Sequence, residues 1–202
     1  LKREARPSEK GTLTARMIDR PIRPGFVDGF KHEVHVVATT LVADHTNPID
    51  TICVAGASAS LMLASAPFDG PVACVRVGRD KDTGDFICNP TYQEQENSDL
   101  DLVIAGTTEY ISMIEAGGEE IAEEDMLAAM SFGQTAIAEF CAAQQRFLDK
   151  CTIEKKEWSI HVPDASIAER VDPFFDEMSA ALKDADKQAR MGKVDDLKAR
   201  IK

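Results

Sequence analysis

The sequence predicts an α/β fold: a two-layer domain with a mixed sheet and helices, followed by a small, partial all-helical segment. Three observations lead to this prediction. Short apolar runs rich in valine and isoleucine recur at strand length, and longer segments between them repeat their apolar residues at helical spacing. Beyond residue 163 only helical patterns are found. Strands interleaved with helices in this way are typical of a sheet covered by helices.

Three elements are predicted in the first third of the chain. Residues from about 8–20 are expected to form a helix, with Leu13 and Met17 on its inward face because residues four apart share one side of a helix. Residues 33–42 alternate apolar and polar side chains, which is the pattern of a half-buried strand. A helix over about 51–65 follows, and its many small residues would allow close approach to a sheet.

The middle of the chain contains four more strand patterns and one long helix. The strands are predicted near residues 72–77, 86–88, 100–105 and 110–115. The helix begins near Glu119, and its apolar positions give the candidates for burial: Ile121, Met126, Leu127, Met130, Ile137, Phe140 and Phe147.

Domain boundaries are predicted from the change in pattern. Residues 1–152 form a first domain, residues 153–165 a linker, and residues 166–202 the start of an all-helical domain. Pro173 is expected to kink the first helix of that domain, and Gly192 is expected to separate off its last helix.

Charge is distributed unevenly along the chain. Residues 1–23 contain seven Lys or Arg and three acidic residues, whereas the whole chain has a net charge of -12. Arg16 and Arg20 are neighbours at i,i+4, where like charges repel. Two prolines end the helix soon afterwards, which would keep Arg23 near its end on a stiff, extended segment. This concentration of cations indicates a site for an anion.

Two interpretations of these arginines are open on charge alone. Guanidinium groups bind phosphate oxygens bidentately, and several of them on one rigid element suit a polyphosphate or a nucleic-acid backbone. The same groups would also pair with the surplus carboxylates of the chain itself.

Composition predicts a cytoplasmic globular protein. The five cysteines lack Cys-x-x-Cys spacing, which fits reduced thiols. The sequence has no signal-peptide pattern and no apolar run near 18 residues, so neither export nor a membrane span is expected. Because the chain begins with leucine, it is expected to be a piece of a longer protein.

The order of the residues favours the phosphate interpretation. Residues 2–24 read KREARPSEKGTLTARMIDRPIRP, and later stretches include GPVACVRVG at residues 70–78 and LDLVIAGT at residues 100–107. This ordered string resembles the first ribonuclease-PH-like repeat of the polynucleotide phosphorylase family, followed by part of that family's helical domain.

The resemblance implies a fold, an activity and a set of partners. The fold would be ribonuclease-PH-like, and the intact enzyme would be a polyribonucleotide nucleotidyltransferase, a 3′-to-5′ phosphorolytic exoribonuclease. It would convert RNA and inorganic phosphate to nucleoside diphosphates, reversibly and with the help of Mg²⁺, in mRNA degradation. The intact enzyme is expected to be a cytoplasmic homotrimer without a membrane partner, and this chain alone is expected to be almost inactive.

The resemblance also assigns RNA and phosphate binding to five arginines: Arg3, Arg6, Arg16, Arg20 and Arg23. The first two look like loop arginines that grip the RNA backbone in a central channel. The other three match helix arginines that hold phosphates at the 3′ end of the substrate. Asp19 is expected to orient a neighbouring arginine rather than to act chemically.

No catalytic residue and no metal ligand are expected in this chain. In the family's catalytic repeat, two aspartates six positions apart bind the metal. Asp99 matches the second, but Gln93 stands in the place of the first, so the Mg²⁺ ligands are expected outside this chain. Glu94, Glu96 and Asp101 are expected to belong, with Asp99, to a solvated acidic loop.

Two alternatives from other classes remain. A non-catalytic RNA-binding or ring-assembly subunit of an exosome-like complex would share the arginines without an active repeat. An acidic α/β protein that binds single nucleotides would show no preference for oligonucleotides.

Overall fold

The computed structural model describes residues 8–154 and 156–201 of the chain. They belong to two compact units, Leu1–Ile160 and His161–Lys202, and the boundary between the units falls inside the predicted linker. The first unit combines a sheet with helices, so the predicted α/β class is confirmed. Its described helices are α1 (Glu9–Ile22), α2 (Asp50–Leu63), α3 (Tyr92–Glu96) and α4 (Glu123–Leu148).

The sheet has four strands in the order β2-β1-β3-β4. They are β1 (Ala73–Asp80), β2 (Phe86–Cys88), β3 (Ser98–Gly106) and β4 (Ile111–Gly118), which confirms the four strand predictions in the middle of the chain. All pairings between these strands are antiparallel, for example Val77 with Leu102 and Ile104 with Ile114. A mixed sheet was expected, and the described strands form an antiparallel one instead because short turns connect β1 to β2 and β3 to β4.

Helices cover both faces of this sheet. Cys74 and Ala105 pack with α1 and α2, whereas Val75 and Ile104 pack with α4, because successive strand residues point to opposite faces. Each face is therefore buried against helices, which accounts for the continuous apolar character of β1 and β3 and differs from the predicted two layers.

The helix α4 fits closely against the sheet through small residues. Its buried positions include Ala129, Gly133 and Ile137, which repeat every four residues. A Cβ atom at Gly133 would lie 2.5 Å from a methyl carbon of Ile104, so a larger residue would force the side chains of the sheet to shift. Ile137 confirms one of the predicted core positions, whereas Leu127 and Phe147 are exposed because they lie on the outer side of the helix.

By length and composition alone, α4 is also apolar enough to cross a membrane. This single helix is weak evidence for a span, because the core helix of a globular domain passes the same test. Its contacts with β1 and β3 account for its buried apolar positions.

The predicted strand over residues 33–42 is wrong. These residues form no strand, and Val37 and Leu41 are 71% and 88% exposed. A strand needs a neighbour to accept its backbone hydrogen bonds, and none of the described strands lies beside this segment. The alternation of apolar residues cannot show whether a strand has a partner, and this segment has none among the described strands.

The second unit consists of α5 (Ala165–Val171), α6 (Phe175–Leu182) and α7 (Lys187–Ile201). Pro173 lies in a short 3₁₀ turn between α5 and α6, where the predicted kink is found. The separation predicted at Gly192 is wrong, because this glycine lies inside α7. The break precedes α7 instead, where the Asp186 carboxylate accepts a hydrogen bond from the Ala189 N–H at 2.7 Å.

Candidate nucleic-acid interface

The helix α1 begins with a cap that the sequence encodes directly. The Ser8 hydroxyl accepts a hydrogen bond from the Gly11 N–H at 3.0 Å. The helix continues through Pro21, and the backbone N–H of Arg23 still donates to the carbonyl of Asp19. The expectation of an extended segment is therefore wrong, because Arg23 begins a 3₁₀ turn and stays in register with the helix.

The buried side of α1 is formed by its second half. Met17, Ile18 and Ile22 pack on the sheet and on α2. Leu13, which was expected on this side, is 56% exposed because it lies beside an open groove next to the sheet. The opposite side of the helix faces solvent and carries the arginines.

Arg16, Arg20 and Arg23 share this solvent-facing side. At 100° per residue, the three positions fall within an arc of about 60° around the helix axis. All three side chains are exposed. The structure therefore brings these three predicted site residues together in one row, whereas Arg3 and Arg6 lie outside the described residues.

Two arginines of the row contact carboxylates of the chain. Arg20 forms an ion pair with Glu115 on β4, and the two side chains are 46% and 49% exposed. Arg23 binds both oxygens of Asp19 through Nη2, each at 2.8 Å. The hydrogen bond from Arg23 to Asp19, together with the negative charge of Asp19, raises the pKa of Arg23 above its ordinary value. Asp19 thus orients an arginine by direct contact.

Arg16 differs from its two neighbours. Within residues 8–154 and 156–201 it forms no ion pair. Among the described residues, the interpretation that the arginines pair with the chain's own acids therefore applies to Arg20 and Arg23 and not to Arg16. Ion pairs between exposed side chains contribute little to stability, so these two pairs can be broken at little cost.

Two cavities flank α1. One, of about 830 Å³, lies between the helix and residues 30–40, and Arg23 lines it together with Phe26 and Phe30. The other, of about 480 Å³, is the open groove beside Leu13, which we call the acidic groove. Its acidic lining residues are Glu9, Asp50, Asp101 and Glu115.

Two further arginines lie on the sheet, and the sequence reasoning missed them. Arg76 on β1 binds Asp50 at 2.8 Å, and both side chains are 12% exposed. Arg76 also forms an ion pair with Asp101. Burial lowers the pKa of Arg76, but the charges of Asp101 and Asp50 outweigh it and the net pKa is raised. A charged residue inside an apolar strand was the signal available in the sequence.

Asp99 is held in the same manner. Arg79 donates to it from Nε at 3.0 Å and from Nη2 at 2.6 Å, and the Asp99 side chain is only 17% exposed. The hydrogen bond from Arg79 lowers the pKa of Asp99. The expectation of a solvated acidic loop is therefore wrong for Asp99. Glu94 is exposed, as expected, but it lies in α3 rather than in a loop, and its carboxylate accepts a hydrogen bond from the Thr91 N–H in the capping box of that helix.

These carboxylates do not fit a metal ion. Arg79 binds both oxygens of Asp99, Arg76 binds one oxygen of Asp101, and Glu94 caps a helix, so few unengaged oxygens remain for a metal ion. In the part of the chain that the structure describes, no three His, Cys, Asp or Glu side chains come together as a metal site.

Comparison with known families identifies both halves of the first unit. Residues 1–67 match the model for domain 1 of the 3′ exoribonuclease family, and residues 70–136 match the model for its domain 2. The two matches together cover about two thirds of the chain, and the row of arginines on α1 lies in domain 1.

Individual proteins agree with these matches. The chain is 40% identical over all 202 residues to the polyribonucleotide nucleotidyltransferases of Listeria welshimeri and of Bacillus cereus, and spans 28% of the length of each. Among solved structures, rice Rrp46 aligns with a TM-score of 0.47 and 16% identity over 52% of this chain and 50% of that one, a likeness too low to carry a conclusion. On the family matches and the identity to these relatives, the chain belongs to the 3′ exoribonuclease family.

Proposed function

We propose that this chain is the RNA-contacting part of a phosphorolytic 3′-to-5′ exoribonuclease. In the reaction, an oxygen of inorganic phosphate attacks the terminal phosphodiester of RNA. A new P–O bond forms between that oxygen and the phosphorus of the phosphodiester, the bond from this phosphorus to the 3′ oxygen of the preceding nucleotide breaks, and the released 3′ oxygen takes up a proton. The products are a nucleoside diphosphate and an RNA shorter by one nucleotide, and the reverse reaction extends RNA from diphosphates.

The row of Arg16, Arg20 and Arg23 on α1 is the observation that carries this proposal. Three guanidinium groups on one capped helix present charge at a fixed spacing, as a phosphodiester backbone requires. They lie on the solvent-facing side of the helix, and the remainder of the chain is strongly acidic. This surface is therefore the candidate for polyanion binding, and the family resemblance adds Arg3 and Arg6 to it.

Bond cleavage is assigned to a part of the longer protein that this chain does not include. The described carboxylates near Asp99 are held by arginines and do not fit a metal, so the Mg²⁺ ligands would lie elsewhere. A metal ion of this kind neutralises charge that develops on a reacting phosphate. The isolated chain would accordingly bind RNA and release almost no nucleoside diphosphate.

The proposal extends to assembly and location. The intact protein would form a homotrimer around a central RNA channel and would act in the cytoplasm on mRNA. The likeness to polyribonucleotide nucleotidyltransferases along the whole chain supports this part of the proposal.

RNA binding by the 202-residue chain gives the first test. The anisotropy of a fluorescein-labelled oligoadenylate would be followed at several salt concentrations. We expect binding that weakens steeply with salt, because each phosphate contact releases counterions. Replacing Arg16→Ala and Arg20→Ala together should reduce the slope of log K against log salt by about 2.

A matched control removes the same charge elsewhere. Arg170→Ala with Lys187→Ala changes two exposed basic residues of the second unit and should leave the slope as in the wild type. If the Arg16 and Arg20 double variant binds like the wild type, the arginine assignment is wrong. If a mononucleotide competes as well as the oligonucleotide, the protein is a nucleotide binder instead.

Activity separates the enzyme from a non-catalytic subunit. The protein encoded by the complete reading frame would be incubated with RNA and phosphate, and nucleoside diphosphate would be measured. Release by that protein, but not by the 202-residue chain, is the expected result. RNA binding without release by the longer protein would favour a subunit that supports an exosome-like ring.

A further inference from the structure

The two paired arginines of α1 are held toward different sides of the helix. Arg23 is bound by Asp19, one helical turn away and beside the larger cavity. Arg20 is bound by Glu115, which lies on β4 and lines the acidic groove on the other side. Glu115 therefore holds Arg20 on the side of the acidic groove, whereas Asp19 holds Arg23 on the side of the larger cavity.

RNA cannot follow Arg20 into the acidic groove. Four carboxylates line this groove, from Glu9, Asp50, Asp101 and Glu115, against two basic residues, Lys10 and Arg76. Arg76 is already bound by Asp50 and Asp101, so its charge is compensated there. A phosphate would meet a net negative surface in the groove. A phosphate beside Arg16 would therefore compete with Glu115 for the guanidinium of Arg20.

The ion pair between Arg20 and Glu115 is suited to replacement of the carboxylate by another anion. Both side chains are about half exposed, and β4 lies at the edge of the sheet, so neither partner is locked in a buried position. Among the described residues, Arg20 is the one recorded partner of the Glu115 carboxylate. When Arg20 leaves, water would solvate the half-exposed Glu115 carboxylate and compensate for the lost ion pair.

We propose that Glu115 is a further determinant of RNA affinity: it occupies Arg20 in the free protein, and an RNA phosphate replaces it. This inference rests on the proposed function of α1. It predicts that the wild-type chain binds RNA more weakly than a variant without the Glu115 charge, because RNA binding to the wild type replaces the ion pair between Arg20 and Glu115.

The test is RNA binding by the Glu115→Gln variant of the 202-residue chain. Glutamine keeps the shape of the side chain and removes its charge. We expect the dissociation constant for oligoadenylate to fall by about two- to fivefold, which corresponds to an ion pair between half-exposed groups. Glu115→Thr also removes the charge, and threonine suits an edge strand, so this variant should likewise bind oligoadenylate more tightly than the wild type.

A control variant and a second background distinguish loss of the Arg20–Glu115 ion pair from the general effect of removing one negative charge. Glu109→Gln changes an exposed acid in the turn between β3 and β4 and should give less than half of the gain. In the Arg20→Ala background, Glu115→Gln should give no more gain than Glu109→Gln does.

The outcomes separate the inference from the proposed function. If Arg20→Ala weakens RNA binding but Glu115→Gln does not strengthen it, the proposed replacement of Glu115 by RNA is wrong, and the assignment of the arginines to RNA binding stands. An equal gain from Glu109→Gln also overturns the proposed replacement. If the wild-type chain does not bind RNA, the proposed function itself fails.

Discussion

The arginines of α1 and the arginines of the sheet make the same kind of contact in different surroundings. Arg20 and Arg23 bind carboxylates while 46% and 77% of their side chains remain exposed. Arg76 and Arg79 bind carboxylates with 12% and 19% exposure. The residue types are the same, and only the burial differs.

This difference indicates which arginines are available to a ligand. A buried charge that loses its partner is left without solvation, so the pairs of Arg76 stabilise the fold and cannot be exchanged. An exposed charge that loses its partner is solvated by water at little cost. The sheet arginines are accordingly structural, and the α1 arginines remain accessible to a ligand.

The largest effect is expected from breaking the pair of Asp50 and Arg76. Asp50→Ala would leave Arg76 buried with Asp101 as its remaining partner, and we expect the free energy of unfolding to fall by about 3 kcal/mol. Urea denaturation at pH 7 would measure it. The matched variant Asp19→Ala removes the exposed partner of Arg23 and should leave the urea midpoint almost unchanged. Equal losses in the two variants would contradict the comparison.

A smaller effect is expected from Asp99 at low pH. The pKa of Asp99 is lowered from the ordinary aspartate value of 3.8 by its hydrogen bond with Arg79. The folded state therefore binds the proton less readily than the unfolded state does. The stabilisation is complete above pH 3.8 and is lost as the pH falls through the lowered pKa of the folded protein.

The variant Asp99→Asn would check this pH dependence. It should be less stable than the wild type at pH 7, and the difference should shrink as both proteins are acidified below pH 4. Thermal unfolding followed by circular dichroism at several pH values gives the comparison. A difference that stays constant down to pH 2 would show that the Asp99 charge does not contribute.

Local signals in the sequence were sufficient to predict α1 and the strands of the sheet. Ser8 caps α1 as its residue type indicates, and β1 and β3 consist of apolar runs bounded by polar turns. The segment 33–42 was misjudged because a strand depends on a neighbour that its own residues do not specify. Leu13 was misjudged for a similar reason, since its exposure depends on the open groove that lies between it and the sheet.

The candidate site was predictable in part. The row of arginines follows from helical spacing and from the family resemblance. The partners Glu115 and Asp50 were not predictable, because each lies far along the chain from its arginine and is brought to it by the packing of α1 and α2 on the sheet. Asp99 was expected in a solvated acidic loop, and only the structure reveals that Arg79 holds it.

The most direct test of the account is a titration of the 202-residue chain with oligoadenylate, followed by NMR of the arginine side-chain Nε–Hε signals. We predict that the signals of Arg16 and Arg20 shift progressively with added RNA, whereas those of Arg76 and Arg79 keep their positions. Shifts confined to Arg76 and Arg79, or saturation by RNA without any change at Arg16 and Arg20, would contradict the account.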